Sequence, residues 1–283
     1  MLYQKMKCFK NITITLILLL CLTKVGIAQT YRILISNDDG IQSPLISTLK
    51  TEIEKLPNVE VIISAPAENQ SGSSQSTNSG PLEVEKVFKD QQFFGYAVNG
   101  KPADAVRFGI RVLGKDKPFD LVISGINRGS NVGDVSHLSG TIGAAMEGLY
   151  HGIPAIAVSQ ESRGVNTEAT SRFIAQLVAK YQKEGAPKGV VLSVNIPAGE
   201  LKGIMVKAMG DAYLDMGNYE LKSETDNKMV YNQKIGFVRS QNKQTDTFAY
   251  QNGYVTITPL KFDWTAYELM ESISNWGLKL ENK

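Results

Sequence analysis

Arg32-Ile33-Leu34-Ile35-Ser36-Asn37-Asp38-Asp39-Gly40 decides the reading of this chain. Ile33, Leu34 and Ile35 form a short continuous apolar run, the pattern of a strand buried on both faces of a parallel sheet. The run stops at two adjacent carboxylates and a glycine. In open α/β sheets, ligands bind beyond the carboxyl ends of the strands. Asp38 and Asp39 therefore belong on the rim where chemistry takes place. Neighbouring carboxylates repel each other, and a divalent cation relieves that repulsion. By itself an Asp-Asp-Gly triplet is ordinary turn chemistry, so its meaning depends on what surrounds it.

The segments that follow alternate between helix and strand patterns. Pro44 suits the first turn of a helix, and Leu45, Leu49, Ile53 and Leu56 recur at helical spacing. Residues 59–64 read as a second strand, which completes a βαβ unit with a right-handed crossover. That strand opens into the polar loop Glu68-Asn69-Gln70-Ser71-Gly72-Ser73-Ser74-Gln75-Ser76. A hydroxyl from this loop is placed to reach the same ion as Asp38. Residues 82–87 and 93–98 read as a strand pair. A helix carrying Val106, Ile110 and Leu113 follows, with Asp104 at its cap or first turn. Residues 119–124 are a further central strand, expected to break into the loop Gly125-Ile126-Asn127-Arg128-Gly129-Ser130-Asn131-Val132-Gly133. Its glycines and asparagines suit a backbone shaped to approach a ligand.

His137-Leu138-Ser139-Gly140-Thr141-Ile142-Gly143-Ala144-Ala145-Met146-Glu147-Gly148 then indicates a helix starting near Ser139 or Thr141. A helix N-terminus presents free N–H groups and a positive dipole end, which together hold a phosphate. The P-loop lysine pattern is missing, so nucleotide triphosphate hydrolysis of that type is not indicated. Residues 154–159 and 190–196 read as strands flanking an amphipathic helix over 167–183. Beyond Pro197 the chain turns β-rich, with short runs at 204–208, 234–238 and 254–258, a charged exposed stretch at 222–228, and a closing helix over 266–274. The expected fold is a Rossmann-like three-layer α/β core with a parallel sheet over residues 29–200. Residues 201–283 are read as a β-rich extension and C-terminal helix of the same domain.

Residues 1–28 are read as a secretory signal peptide. Lys5, Lys7 and Lys10 give a basic start, residues 12–22 an apolar core, and Gly26-Ile27-Ala28 a cleavage site ahead of Gln29. The apolar run is about half the ~20 residues of a membrane span, so no stable membrane anchor is expected and the protein is read as exported, to a periplasm or the medium. Both cysteines, Cys8 and Cys21, fall in this segment. The remaining chain has no thiol for a disulfide, a nucleophile or a thiolate metal site. The formal net charge of +2 also belongs to this segment: residues 1–28 carry four lysines and no acid, which leaves −2 on the rest. Nothing in that balance suggests binding to a nucleic acid polymer.

Four motifs stand in order: Ser-Asn-Asp-Asp-Gly at 36–40, Ala-Pro…Asn-Gln-Ser-Gly at 65–72, Ser-Gly-Ile-Asn-Arg-Gly-x-Asn-x-Gly at 124–133, and Ser-Gly-Thr…Ala-Ala-Met-Glu-Gly at 139–148. Together they resemble the SurE family, metal-dependent phosphatases of nucleoside 5′- and 3′-monophosphates. The resemblance is close over residues 32–197 and looser over the extension. It implies one divalent ion held by Asp38, Asp39, Ser71 and Asn127. Carboxylate, hydroxyl and amide oxygens are hard ligands suited to Mg²⁺ or Mn²⁺. It also implies a homodimer or larger homo-oligomer formed through the C-terminal extension. The chain departs from the family pattern in its export signal, in Lys101 where a small hydroxyl residue is usual, and in His137 near a usual aromatic.

The expected reaction is hydrolysis of a phosphomonoester. Asp38 is assigned as general base or water-positioning group, with direct attack on phosphorus as a variant. Asn127, Asn131, Ser139, Gly140 and Thr141 are assigned to the phosphate. His137 and His151, the only histidines, are read as a surface residue and a helix C-terminal cap. Two alternatives stand beside this: a broad phosphatase or exopolyphosphatase, and an exported nucleotide-binding protein without turnover. Haloacid-dehalogenase chemistry is disfavoured, because it calls for Asp-x-Asp where this chain has Asp38-Asp39-Gly40.

Overall fold

β1 (Tyr31–Ser36) lies in the middle of a nine-stranded sheet. Its side chains alternate between two cores, as a pleated strand requires. Ile33 and Ile35 face one layer, with Leu45, Ile46, Leu49 and Ile53 of α1 (Pro44–Ile53) and Ile174, Val178 and Tyr181 of α4 (Thr167–Glu184). Leu34 faces the other, with Val106 of α2 (Pro102–Phe108) and Ile142, Ala144 and Ala145 of α3 (Gly140–Tyr150). The result is a three-layer α/β fold, as read from the sequence.

The computed structural model describes residues 30–280 apart from Ala212. The chain divides into two units, Met1–Thr30 and Tyr31–Lys283. The leader expected over residues 1–28, with Cys8 and Cys21, lies outside the described residues.

The remaining strands are β2 (Val59–Pro66), β3 (Val84–Lys89), β4 (Gln92–Val98), β5 (Leu121–Arg128), β6 (Ala155–Gln160), β7 (Val191–Ile196), β8 (Ile204–Val206), β9 (Leu214–Thr225), β10 (Lys228–Phe237) and β11 (Val255–Leu260). The order across the main sheet is β3-β4-β2-β1-β5-β6-β7-β11-β8. β4, β2, β1, β5, β6 and β7 run parallel to their neighbours. β3 and β11 pair antiparallel, to β4 and β7. The chain moves outward from β1 to β2 and β4, then returns to β1's other side as β5. The crevice between β1 and β5 is therefore the topological switch point, the place where such sheets bind ligands.

Local chemistry sets the boundaries. Ser43 accepts a hydrogen bond from Leu45 N–H at the start of α1, with Pro44 next to it. Asp104 sits in the first turn of α2 and accepts from Lys101 N–H at 2.9 Å and Asn78 N–H at 3.0 Å, which settles its place as a capping group. His151 ends α3 as its C-cap, as the sequence suggests.

Two expectations over boundaries are corrected. The stretch from Gly125 to Arg128 is not a loop but the end of β5. It carries one extra residue against β6, because Ser124 pairs with Ala157 and Asn127 with Ser159. This bulge brings Asn127 to the same sheet face as Ser124, where unbroken alternation would set it opposite. The second concerns the extension. β11 and β8 complete the main sheet, while β9 and β10 form a separate antiparallel ribbon of 12 and 10 residues. The charged stretch 222–228 is the tip of that ribbon. Its residues are exposed on both faces, so the sequence carries no alternating pattern to reveal its length. α5 (Asp246–Gln251) lies between β10 and β11 in the chain, and the last helix, α6 (Tyr267–Ser274), buries none of its residues in this chain.

Candidate active site

Asp38 leaves the end of β1 buried, 3% exposed. Its Oδ1 accepts a 2.6 Å hydrogen bond from Thr141 Oγ1, in the first turn of α3. Its carbonyl accepts from Gln70 N–H at 2.7 Å, tying the Ser-rich loop after β2 to the loop after β1. Asn37 holds the same loop through Nδ2, which donates to Gly40 O at 2.9 Å. A hydrogen-bonding role for Asn37 is missed by sequence reasoning, because only the closed loop shows it.

Burial pushes the Asp38 carboxyl up to about 6; hydrogen bonds from Thr141 oppose the shift and the Asp39 charge adds to it. Asp39 is also raised by burial, against a 3.1 Å hydrogen bond from Arg128 N–H that holds its charged form. That bond carries Asp39 across the switch point to the end of β5. Asn127 lies next to it. Its Nδ2 donates to Gly129 O at 2.7 Å, so Oδ1 is the side-chain atom that would face an ion.

The residues named from the sequence converge unevenly. Asp38, Asp39 and Asn127 meet at the switch point, and Gly140 and Thr141 reach it from α3. A Cβ built on Gly140 would stand 2.9 Å from Asp38 Cβ and 2.7 Å from Ser73 Oγ. Ser71 is exposed, one residue beyond the Gln70 contact, and its N–H bonds to Asn69 Oδ1 at 3.0 Å. Asn69 also reaches Asp39 through Nδ2, at 3.5 Å.

Three residues assigned to phosphate already make hydrogen bonds within the protein. Thr141 directs its hydroxyl proton to Asp38, so that hydroxyl is spent as a donor. Ser139 Oγ accepts from Ile142 N–H at 3.1 Å as the N-cap of α3, which leaves only its own proton to donate. Asn131 is locked in a buried knot: its Nδ2 donates to Ser159 Oγ at 2.8 Å, its N–H to Asn195 Oδ1 at 2.7 Å, and its carbonyl accepts from Ser136 and Asn195. Ser159 and Asn195 carry no motif of their own in the sequence. His137 is exposed, bonds through Nδ1 to Asp134 O, and stands edge-on to Trp264 with ring centres 6.1 Å apart. Lys101 extends toward the same loop as Ser71, with its Nζ donating to Gln70 Oε1 at 2.8 Å.

The donor set fits a hard divalent ion. Two adjacent carboxylates, both raised by burial, are destabilised while charged, and a cation between them relieves both. Among the described residues no three of His, Cys, Asp and Glu gather as ligands. Neutral oxygens, of the kind Asn127 and Ser71 carry, would complete such a set.

Fold and site together define an enzyme of the doubly wound α/β class, with a carboxylate-led site at the switch point facing a helix N-terminus. The family model described as Survival protein SurE matches residues 33–216. The 5′-nucleotidase SurE of Thermoanaerobacter sp. (strain X514) is 35% identical over 257 residues, covering 88% of this chain and 100% of that protein. The 5′-nucleotidase SurE of Legionella pneumophila is 36% identical over 249 residues, covering 86% of this chain and 96% of that protein. The crystal structure of the SurE protein from Aquifex aeolicus superposes with a TM-score of 0.74 at 37% identity, covering 86% of this chain and 98% of that one. The chain belongs to the SurE family.

Proposed function

We propose that this protein is a 5′-nucleotidase, a phosphomonoesterase that converts nucleoside 5′-monophosphates, and 3′-monophosphates with them, to nucleoside and phosphate. The observation that carries this is the buried Asp38 at the carboxyl end of β1, with Asp39 beside it and Thr141 aiming its carboxylate from the first turn of α3. The names of the relatives support the substrate class.

Asp38, Asp39, Ser71 and Asn127 would hold one Mg²⁺ or Mn²⁺. When bound, the ion supplies Lewis-acid polarisation of a phosphoryl oxygen and lowers the pKa of a water. Asp38 takes the proton from the attacking water as the bond from phosphorus to the ribose oxygen breaks, and passes it to that leaving oxygen, while the Thr141 hydroxyl keeps the Asp38 carboxylate in one orientation. Free N–H groups at the start of α3, with its dipole, hold the phosphate oxygens, and Ser139 donates its remaining proton there. Gly140 has no side chain between this helix end and Asp38, so the phosphate approaches both.

A cavity of about 480 Å³ borders Ser139 and is lined by His137, Met146, Phe262 and Trp264. Its apolar, aromatic character suits a nucleoside ring and has no evident use for a polyphosphate chain. This favours nucleotidase over exopolyphosphatase. We further infer export, from the leader-like sequence of residues 1–28, and self-association through the C-terminal extension. α6 leaves Tyr267, Leu269, Met270 and Ile273 exposed, and the β9–β10 ribbon leaves Tyr219, Met229, Tyr231 and Phe237 exposed. That much apolar surface marks an interaction face. Among the described residues no helix is long and apolar enough to cross a membrane.

The test is phosphate release by the protein begun at Gln29, from AMP, 3′-AMP, GMP, polyphosphate and p-nitrophenyl phosphate, with Mg²⁺, Mn²⁺ or EDTA. The proposal expects release that needs the ion and is fastest on nucleotides. Ion-dependent release without nucleotide preference makes it a general phosphatase, and no release under any condition returns it to a binding protein.

A further inference from the structure

Glu147 is buried, 1% exposed, two turns along α3 from the site. The sequence gives it no catalytic part. Its Oε1 accepts from Arg107 Nε at 2.8 Å and pairs with His151 Nε2 at 3.1 Å. Its Oε2 takes a single partner, Gln75 Nε2 at 3.1 Å. Gln75 belongs to the Ser-rich loop after β2, the loop that carries Ser71 and Ser73.

Gly140, Gly143 and Glu147 follow at helical spacing and share one face of α3. The Ser-rich loop lies along that face. A Cβ on Gly143 would stand 2.1 Å from the carbonyl oxygen of Ser74 and 2.4 Å from its carbon, so backbone packs directly on helix. Ser74 is fixed at the same level, its N–H donating to Leu138 O at 3.1 Å and its hydroxyl to His137 O at 2.9 Å. Ser73 Oγ ends up buried against Gly140, with no hydrogen-bond partner, on the side of Asp38.

We propose that Glu147 is a positioning residue that, by gripping Gln75, sets the Ser-rich loop on α3 and so fixes the distance of Ser71 and Ser73 from Asp38. It touches neither substrate nor ion. Arg107 and His151 hold the carboxylate in place from α2 and from the end of α3, and Gln75 transmits that position to the loop. The inference rests on the active-site reading above for its consequence, but the clamp itself is a property of the loop and helix.

The experiment compares wild type with Gln75→Ala, and with the exchanged pair Gln75→Glu/Glu147→Gln, in which donor and acceptor swap ends. Glu147 keeps its Arg107 partner in Gln75→Ala, and circular dichroism checks that the variant is folded. Three quantities are read below the melting transition: amide exchange of residues 70–76, Mn²⁺ affinity, and kcat and KM on AMP and p-nitrophenyl phosphate. The clamp predicts faster exchange confined to 70–76 in Gln75→Ala, weaker Mn²⁺ binding, and a kcat lower by about tenfold to a hundredfold on both substrates, the scale of a displacement near 1 Å. The exchanged pair recovers protection and most of the affinity. Unchanged exchange and Mn²⁺ affinity in Gln75→Ala overturn the proposal. So does a loss of global stability that leaves Mn²⁺ affinity intact. A wild type that hydrolyses nothing defeats the functional reading, while exchange and Mn²⁺ binding still judge the clamp.

Discussion

Thr141 Oγ1 and Asp38 Oδ1 stand 2.6 Å apart, joining the first turn of one helix to the end of the central strand across 103 residues of sequence. The bond aims a buried carboxylate and spends the Thr141 hydroxyl proton. Asp38→Asn should abolish turnover, a loss of at least about a thousandfold, while circular dichroism stays as in wild type. Thr141→Val should lower kcat by roughly tenfold with a smaller change in KM, since it frees the carboxylate to rotate without removing it. Steady-state kinetics on AMP checks both, and a wild-type rate in Asp38→Asn would sink the assignment.

The metal-free protein should become less stable as pH rises through the range where Asp38 ionises. The folded carboxyl is raised from 3.8 to about 6, so the folded state binds the proton more tightly than the unfolded chain. The folded state therefore pays nothing below about pH 4 and the full penalty above about pH 6, on the order of 3 kcal/mol for this group. Asp39 shifts in the same direction. Thermal melts in EDTA at pH 5 and pH 7.5 measure this, with Asp38→Asn as reference. The difference between wild type and variant should widen toward pH 7.5 and shrink when Mn²⁺ is added.

Ser139 caps α3 through Ile142 N–H. Ser139→Ala should cost about 1 kcal/mol of stability, and should also raise KM for nucleotides, because the helix end proposed to hold the phosphate frays. Denaturant unfolding and kinetics on the same preparation separate the two effects. Stability lost with KM unchanged would remove Ser139 from the phosphate site.

Trp264 is a wall of the aromatic cavity beside Ser139. Trp264→Ala should raise KM for AMP by roughly tenfold, in line with ~1–3 kcal/mol for base–aromatic stacking, and should leave p-nitrophenyl phosphate and polyphosphate within about threefold. An equal loss on all three would show that the cavity does not recognise the nucleoside.

The exposed apolar residues of α6 and the β9–β10 ribbon should be covered in solution by another copy of the chain. Light scattering on the full chain should give a dimer or larger mass. Leu269→Asp combined with Ile273→Asp should shift it toward monomer. A monomer in the wild type at micromolar concentration would remove the assembly proposal.

The sequence by itself determined the core. The unbroken apolar run of β1, the helical spacing of α1 and the run ending at Asp38 and Asp39 are local patterns, and local patterns suffice for strands buried on both faces and helices buried on one. It also placed the carboxylates on the correct edge of the sheet, because parallel strands all end there. Only the tertiary structure decided how the site is assembled. That Asn127 shares a face with Ser124 depends on a bulge defined by pairing with β6. That the Thr141 hydroxyl bonds Asp38, that Asn131 is tied to Ser159 and Asn195, and that Glu147 holds Gln75 are contacts between residues 28 to 103 positions apart. The extent of the β9–β10 ribbon was equally hidden, since a ribbon exposed on both faces has no apolar alternation to betray it. Periodicity reports what a segment buries; which side chains share a proton is settled only when the strands and helices have closed on one another.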